Sequence, residues 1–202
     1  MTNINGVSRE TRAKLEAFAT LLLRWNRTVN LIARRDEPVL WPRHIADSLQ
    51  LVPLVPPGIS RAIDLGSGGG FPGLVLAIAT DIPFDLIEAD QRKAAFLREA
   101  GRATQAPVRV HAVRAEAASL VAAPLITSRA LAPLPHLLAL TAPLLAPGGI
   151  CLFLKGVVVE SELTAAAAEW HMQVTRVASQ TAPGACILRI SHIARVHDNA
   201  RS

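Results

Sequence analysis

The 202-residue chain is half apolar by residue count and carries a formal net charge of +5. This composition supplies the core of one substantial domain and excludes a disordered polar chain, and its apolar runs are too short to cross a bilayer. Residues 1–43 hold eight Lys or Arg against four Asp or Glu, which is unlike a secretory signal peptide and fits either a nucleic-acid surface or a solvated helix.

The N-terminal part of the chain is predicted to be helical. Apolar side chains recur at three- and four-residue steps through residues 15–25, the spacing of an amphipathic helix, and Ser8 is a suitable N-cap. A second, short helix is predicted around Arg43, after a segment rich in proline and charge. Prolines within residues 52–58 mark a boundary, so residues 1–58 are predicted to form an N-terminal helical extension.

From residue 59 onwards, short apolar runs alternate with segments of helical period, which predicts an α/β fold with helices on both faces of a mostly parallel sheet. The last two strands are separated by so short a loop that they should form an antiparallel hairpin at the sheet edge. The predicted strands are Ala62–Leu65, Phe84–Glu88, Val108–Ala112, Leu125–Ser128, Ile150–Leu154, Gln173–Val177 and Ala185–Ile193, and the predicted helices are Leu74–Ala79, Arg92–Arg102, Leu134–Leu145 and Glu160–Glu169.

The cysteines and histidines are not spaced like metal ligands. Cys151 and Cys186 lie in apolar strand-like runs, as small core residues of a reducing compartment do. The six histidines belong to no CxxC or HExxH pattern. We therefore expect no metal site, no membrane association and a cytoplasmic protein.

The segment Asp64–Gly73 is the most informative part of the sequence, because five of the eight residues from Gly66 onwards are glycine. Glycine permits positive φ and lets a ligand approach the backbone, and this loop leaves the first strand at its carboxyl end, where α/β sheets bind ligands. A dinucleotide G-x-G-x-x-G frame counted from Gly66 ends on Phe71. Asp64 would be unfavourable beside a pyrophosphate and favourable beside a cationic sulfonium, so the loop indicates S-adenosylmethionine rather than NAD.

Two further acids follow the next two strands. Glu88 ends the second predicted strand, where a carboxylate can accept hydrogen bonds from ribose hydroxyls, and Asp90 is an alternative for that role. After the third strand, Ala115 and Glu116 could meet an adenine edge. An acid such as Glu116 is also expected at a helix N-terminus because of the helix dipole.

Taken together, these motifs resemble one family. Over nearly its whole length the chain is similar to the bacterial small-subunit ribosomal RNA guanine-N7 methyltransferases, also called glucose-inhibited division protein B. Glycine loops are common to many methyltransferases, but their combination with Arg-His and Ser-Arg-Ala elements is specific. The resemblance rests on Arg24-Trp25-Asn26, Asn30-Leu31, Arg43-His44-Ile45-Ala46-Asp47-Ser48, Asp64–Gly73, Lys93, Phe96-Leu97, Ser128-Arg129-Ala130 and Leu154-Lys155-Gly156.

The resemblance implies a Rossmann-like class I methyltransferase sheet, mostly parallel with an antiparallel C-terminal edge strand. Residues 59–197 would form the S-adenosylmethionine-binding domain, residues 1–58 a basic part facing RNA, and residues 198–202 a tail. The implied partner is small-subunit (16S) ribosomal RNA or the 30S particle, and a monomer suffices. The implied cofactor-binding residues are Asp64, Gly66, Gly68, Phe71 through its backbone, Glu88, Ala115, Glu116 and Arg129. Arg129 is also the implied catalytic residue. The implied substrate-side residues are Arg43, His44 and Lys155.

Guanine N7 offers a lone pair and no proton, so methylation there needs positioning more than a general base. The chain has no Asn-Pro-Pro-aromatic run of the kind associated with exocyclic amine methylation, and neither cysteine looks exposed enough to be the nucleophile of pyrimidine C5 chemistry. Three alternatives stay open: a methyltransferase for a small metabolite, a ribosome-assembly factor that binds RNA without turnover, and a nicotinamide-dependent reductase.

Overall fold

The structure is a computed structural model that describes residues 7–196; the predicted tail at residues 198–202 lies outside the described residues. All seven predicted strands and the predicted helices within this range are present; β1 has its predicted ends, and the other elements have shifted ends. The strands are β1 (Ala62–Leu65), β2 (Phe84–Ile87), β3 (Val108–His111), β4 (Ala123–Arg129), β5 (Leu145–Lys155), β6 (Trp170–Ala178) and β7 (Cys186–Arg195), and the helices are α1 (Arg9–Asn26), α2 (Ala46–Leu49), α3 (Gly73–Thr80), α4 (Gln91–Thr104), α5 (Leu134–Thr141) and α6 (Val159–Ala167).

The strands form one sheet in the order β3-β2-β1-β4-β5-β7-β6. The first five run parallel, and β7 pairs antiparallel with both β5 and β6. The predicted α/β class and the C-terminal hairpin are therefore confirmed. The edge position is different from the prediction, because β6 and not the C-terminal strand lies at the edge: β7 is mostly buried and needs a neighbour on each side, whereas β6 is mostly exposed.

One predicted helix ends earlier than its apolar spacing suggests. The α-helix of α5 ends at Thr141, and a 3₁₀ turn, Ala142–Leu144, leads into β5. Pro143 lies inside this turn and lacks the N–H that an α-helix would need there. The strand β5 therefore begins at Leu145, five residues before the predicted Ile150.

Alternate residues of each strand point to opposite faces of the sheet, and each face has its own core. Helices α1 to α4 pack on the face that carries Ala62 and Leu86, and helices α5 and α6 pack on the face that carries Ile63 and Ile87. The prediction of helices on both faces is thus confirmed.

The N-terminal extension shares the first of these cores. Ser8 accepts a hydrogen bond from the Thr11 N–H at 3.1 Å and caps α1 as predicted. Buried Leu15, Phe18 and Leu22 belong to the same apolar cluster as the sheet and α3. The short second helix consists of a π-helical turn, Trp41–Ile45, that continues into α2. Within residues 7–196, no helix is both long and apolar enough to span a membrane.

Candidate active site

The glycine-rich loop leaves β1 at the carboxyl edge of the sheet and turns into α3. Gly66 has φ +70°, a conformation that other residues rarely adopt, and a Cβ there would lie 2.7 Å from Leu131 Cδ1, so a side chain would strain the backbone and displace Leu131. Gly73 leaves no room for a side chain, since its Cβ would lie 2.5 Å from the Asp64 side chain. The loop sequence therefore permits both an open backbone towards the cleft and close packing beneath it.

Asp64 lies under this loop and is fully buried. Its Oδ1 accepts a hydrogen bond from Thr127 Oγ1 at 2.6 Å, and its Oδ2 has no hydrogen-bond partner in the described part of the chain. Burial raises the pKa of Asp64 to about 6, although the hydroxyls of Thr127 and Ser67 act against this rise. The carboxylate does not line the cleft, so its charge can reach a cofactor only through the loop.

Glu88 fixes the other side of the loop. One carboxylate oxygen accepts the Gly68 N–H at 2.8 Å, and the other accepts the Asp90 N–H at 2.8 Å. Each carboxylate oxygen keeps a further lone pair for a ligand hydroxyl. Asp90, the alternative acid, instead caps α4 by accepting the N–H groups of Arg92 and Lys93.

A cleft of about 270 Å³ opens between the loop and the ends of β2, β3 and β4; we call it the cofactor cleft. Its lining includes Val113 and Leu131, which are apolar and yet well exposed. The predicted residues Gly66, Gly68, Glu88, Ala115 and Arg129 line it, as do Ile87, Ala89, Lys93 and Ala130.

Besides Asp64, two further predicted cofactor residues lie outside this lining. The Glu116 side chain is exposed and lies 3.7 Å from His136. Phe71 is buried, with its ring packed edge-on against Phe18. The structure therefore brings Ala115 to the cleft and leaves the side chains of Glu116 and Phe71 away from it.

A larger cavity of about 580 Å³ adjoins the cofactor cleft; we call it the acceptor cavity. Four parts of the chain wall it: the extension, the end of β4, the end of β5 and the loop between β6 and β7. Arg129 and Ala130 line both the cavity and the cleft. Ala130 has φ +54°, a left-handed conformation that turns the chain sharply between the two spaces.

Arg129 is the side chain held most firmly at this junction. Its Nη2 donates to His44 Nδ1 at 2.8 Å, and its Nη1 lies 3.3 Å from Asp47 Oδ2 and 3.5 Å from the Arg43 carbonyl oxygen. Its guanidinium carbon lies 4.9 Å from the centre of the Phe71 ring. Phe71 therefore contributes as the surface on which this cation rests.

His44 is a buried neutral imidazole. Burial lowers the pKa of His44 to about 4, and the neighbouring Arg129 acts in the same direction. Because a guanidinium can only donate, Nδ1 must accept, and the ring proton lies on Nε2. That nitrogen lies 3.4 Å from Asp36 Oδ2, poorly aligned for a hydrogen bond. His44 thus orients Arg129, with its one lone pair already used.

Asp47 joins three separate parts of the chain. Its Oδ2 meets Arg129, while its Oδ1 accepts Thr181 Oγ1 at 2.6 Å and Gln50 Nε2 at 2.7 Å. The Gln180 N–H in turn donates to Gln50 Oε1 at 2.8 Å. The extension is thereby tied to the β6–β7 loop at the wall of the acceptor cavity.

The two remaining predicted substrate residues, Arg43 and Lys155, differ in their exposure to solvent. Arg43 is exposed at the rim, with its Nε 3.1 Å from Asp36 Oδ2. Lys155 is buried, and its Nζ donates to Glu162 Oε2 at 2.6 Å and to the Ala132 carbonyl at 2.8 Å. Lys155 therefore holds the loop after β4 in place.

Several residues at the site escaped the sequence reasoning. Val113 and Leu131 each follow a strand end by two residues, a position at the ligand edge of the sheet that could have identified them. Asp36 and Thr181 carry no such signal, because their partners are fixed only by the tertiary fold. Among residues 7–196, no three His, Cys, Asp or Glu side chains converge as they would around a metal ion.

The strand order and the glycine loop at the carboxyl edge of the sheet are those of the Rossmann-like class I methyltransferase fold. Among solved structures, the O-methyltransferase from Bacillus cereus in complex with SAH superposes with a TM-score of 0.59 and 16% identity, covering 86% of this chain and 90% of that one. N-methyltransferase NodS from Bradyrhizobium japonicum WM9 in complex with S-adenosyl-L-homocysteine gives a TM-score of 0.58 and 15% identity, covering 84% and 96%. These likenesses are of fold alone.

Sequence comparison is more specific. The family model for rRNA small subunit methyltransferase G matches residues 11–186. The relative of that name from Gluconobacter oxydans is 57% identical over 190 residues, covering 94% of this chain and 98% of its own, and the one from Acidiphilium cryptum is 58% identical over 192 residues, covering 94% and 88%. The chain belongs to the rRNA small subunit methyltransferase G family, which confirms the predicted resemblance.

Proposed function

We propose that this chain transfers the methyl group of S-adenosyl-L-methionine to N7 of a guanosine in 16S ribosomal RNA. One observation carries the proposal within the site: Arg129 and Ala130 form a wall common to the cofactor cleft and the acceptor cavity. A donor in the cleft and a base in the cavity would meet at that wall. Membership of the family supports RNA of the small subunit as the substrate.

The cofactor cleft suits S-adenosyl-L-methionine in three respects. The backbone of Gly66 and Gly68 is open to the ligand, Glu88 offers acceptors for ribose hydroxyls, and Val113 and Leu131 offer apolar surface for an adenine ring. When bound, the cofactor would supply an electrophilic methyl group on a cationic sulfur. Asp64 contributes a carboxylate behind the loop.

The acceptor cavity suits an atom that needs no deprotonation. Its imidazole, His44, has its lone pair engaged by Arg129. Its carboxylates are engaged as well, Asp36 by Arg43 and Asp47 by Arg129. Guanine N7 attacks through its lone pair and loses no proton, so positioning is the main contribution of these residues.

We assign the orientation of the acceptor to Arg129, whose remaining N–H groups are available to the base or its phosphate. Arg43 is the exposed candidate for RNA contact at the rim. His44 and Lys155 act as positioning residues, His44 through Arg129 and Lys155 through the loop after β4.

The test is methyl transfer from labelled S-adenosyl-L-methionine to 16S RNA and to 30S particles from cells that lack the gene. Label at a guanosine whose chain becomes sensitive to aniline after borohydride reduction, the behaviour of 7-methylguanosine, supports the proposal. Arg129→Ala should lose transfer while calorimetry still detects S-adenosyl-L-homocysteine binding. Label in a free metabolite alone, or RNA binding without any transfer, would replace the proposal with the corresponding alternative.

A further inference from the structure

A second basic region lies on the side of the sheet away from the acceptor cavity. Residues 91–114 contain six Lys or Arg and one Asp or Glu, whereas the rest of the chain contains fifteen of each. The one acid, Glu99, is paired with Arg24 of α1 at 2.7 Å. Residues 91–114, which cover α4 and β3, are therefore a strongly basic region in addition to residues 1–43.

Two grooves run along β3, the edge strand of the sheet. The first, of about 400 Å³, lies between α4 and β3 and is lined by Arg98 and Arg102. The second, of about 710 Å³, lies at the amino-terminal ends of the first three strands and is lined by Arg61 and Arg109. Val108 lines both, so the two grooves adjoin.

Negative charge near these grooves is already neutralised. Asp85 is the one carboxylate among the described lining residues, and it pairs with Arg61 at 2.9 Å and His111 at 2.7 Å. The other three arginines are exposed and form no ion pair within residues 7–196; they are Arg98, Arg102 and Arg109, which we call the β3-edge surface.

We propose that the β3-edge surface binds the phosphate backbone of the RNA substrate at a distance from the methylated base. Guanidinium groups match phosphate oxygens in a bidentate geometry. An edge strand can be protected from aggregation by a single charge such as Arg109, but that purpose does not explain Arg98 and Arg102, which lie on the neighbouring helix. The inference rests on the proposed function only in taking RNA as the substrate.

This surface acts on affinity and not on the chemical step. A four-residue strand spans about 13 Å, so the amino-terminal end of β3 is separated by that length from the cofactor cleft. Phosphate contacts fix the orientation of a nucleic acid and are independent of its base sequence. The β3-edge surface would therefore hold RNA that flanks the target nucleotide.

The experiment measures binding of 16S RNA, without cofactor, over a series of salt concentrations. In the Arg102→Gln/Arg109→Gln double variant, the slope of log K against log salt should fall by about two and the Kd should rise about tenfold at moderate salt. The maximal rate of methyl transfer at saturating RNA should stay unchanged. Arg102→Lys/Arg109→Lys keeps both charges and should keep the slope.

The matched control is Arg176→Gln/Arg195→Gln, which removes two charges near the opposite edge of the sheet, where both arginines are exposed and ion-paired. Its salt slope should equal that of the wild type. An unchanged slope in the Arg102/Arg109 variant, or an equal loss in the control, overturns the proposal. RNA binding is measured without turnover, so it tests the β3-edge surface independently of catalysis. A wild-type chain that binds RNA and does not methylate it would refute the proposed function, and the salt slopes would still decide whether this surface binds RNA.

Discussion

The replacement Asp47→Asn removes the negative charge beside Arg129 while keeping the shape of the side chain. Arg129 would lose its carboxylate partner at 3.3 Å, and the hydroxyl of Thr181 would still face an amide group. The two side chains of the ion pair are only 14% and 19% exposed. Water therefore screens this charge less than it would at the surface.

The expected magnitude follows from this geometry. A hydrogen bond to a charged group contributes about 1.5–3 kcal/mol, and the long separation places this one near the lower end. If the lost stabilisation of about 1.5 kcal/mol acts entirely on the orientation of the acceptor in the transition state, the rate of methyl transfer decreases about tenfold. Burial lowers the pKa of Arg129 while Asp47 raises it, so the variant also makes the buried cation less favourable.

The assay is single-turnover methyl transfer to 16S RNA at saturating S-adenosyl-L-methionine, with calorimetric binding of S-adenosyl-L-homocysteine as the measure of an intact cleft. Thr181→Val is the control, because it removes a hydrogen bond to the same carboxylate and leaves the charge. We expect it to weaken RNA binding and to leave the transfer rate within about twofold of the wild type. A wild-type rate in Asp47→Asn, or an equal loss in Thr181→Val, would refute the reasoning.

Three further predictions concern the cleft and its supports. Gly66→Ala should weaken S-adenosyl-L-homocysteine binding more than tenfold in calorimetry, because the added methyl group combines a left-handed backbone, costing about 1–2 kcal/mol, with a collision. Glu162→Gln leaves the Lys155 ammonium buried without its carboxylate and should lower the free energy of unfolding by about 3 kcal/mol in urea. Burial raises the pKa of Asp64 from 3.8 to about 6, so the wild type loses stability as the pH rises from about 4 to about 6. The free energy of unfolding of Asp64→Asn relative to wild type should therefore increase by about 2 kcal/mol between pH 4 and 7.

Each of these predictions has its own counter-result. Gly58→Ala carries the same left-handed strain, at φ +78°, with no atom within 4 Å of the added Cβ. If it weakened cofactor binding as much as Gly66→Ala does, the contact with Leu131 would not be the cause of the loss. Glu160→Gln breaks an exposed ion pair with Arg176 and should destabilise the protein far less than Glu162→Gln. Equal destabilisation by the two variants would contradict the expectation that the buried Lys155–Glu162 pair contributes more to stability. If the difference in free energy of unfolding between Asp64→Asn and the wild type stayed constant with pH, the raised pKa of Asp64 would be contradicted.

The fold could be predicted from the sequence because its strands are short buried runs set off by turns and helices. The positions of β1 and of the glycine loop follow from local spacing alone. The position of β7 inside the sheet does not, because two neighbouring strands joined by a tight loop can be placed with either one outside. Burial of the complete strands decides it, with Ile187 and Leu188 enclosed while most of β6 faces solvent.

The site could be predicted in its cofactor half more fully than in its acceptor half. Gly66, Gly68 and Glu88 are close in sequence to strand ends, which a parallel sheet brings to one edge. The contacts of the acceptor half join distant residues: Asp47 meets Thr181 across 134 positions and Arg129 across 82. Sequence spacing contains no information about such pairs, so it could not show that His44 and Lys155 are engaged inside the protein.

The extension is therefore a structural part of the active site as well as a candidate RNA-facing segment. Arg43, His44 and Asp47 all come from it, and each contacts the guanidinium of Arg129, which comes from β4. Four of the contacts that fix the Arg129 guanidinium, including the Phe71 ring, involve residues that pack against this extension or belong to it. A chain beginning at residue 59 would lose these partners of Arg129 together with the buried Leu15, Phe18 and Leu22 of the core that the sheet shares with the extension, so the same segment supports the fold beneath the glycine loop and the orientation of the acceptor.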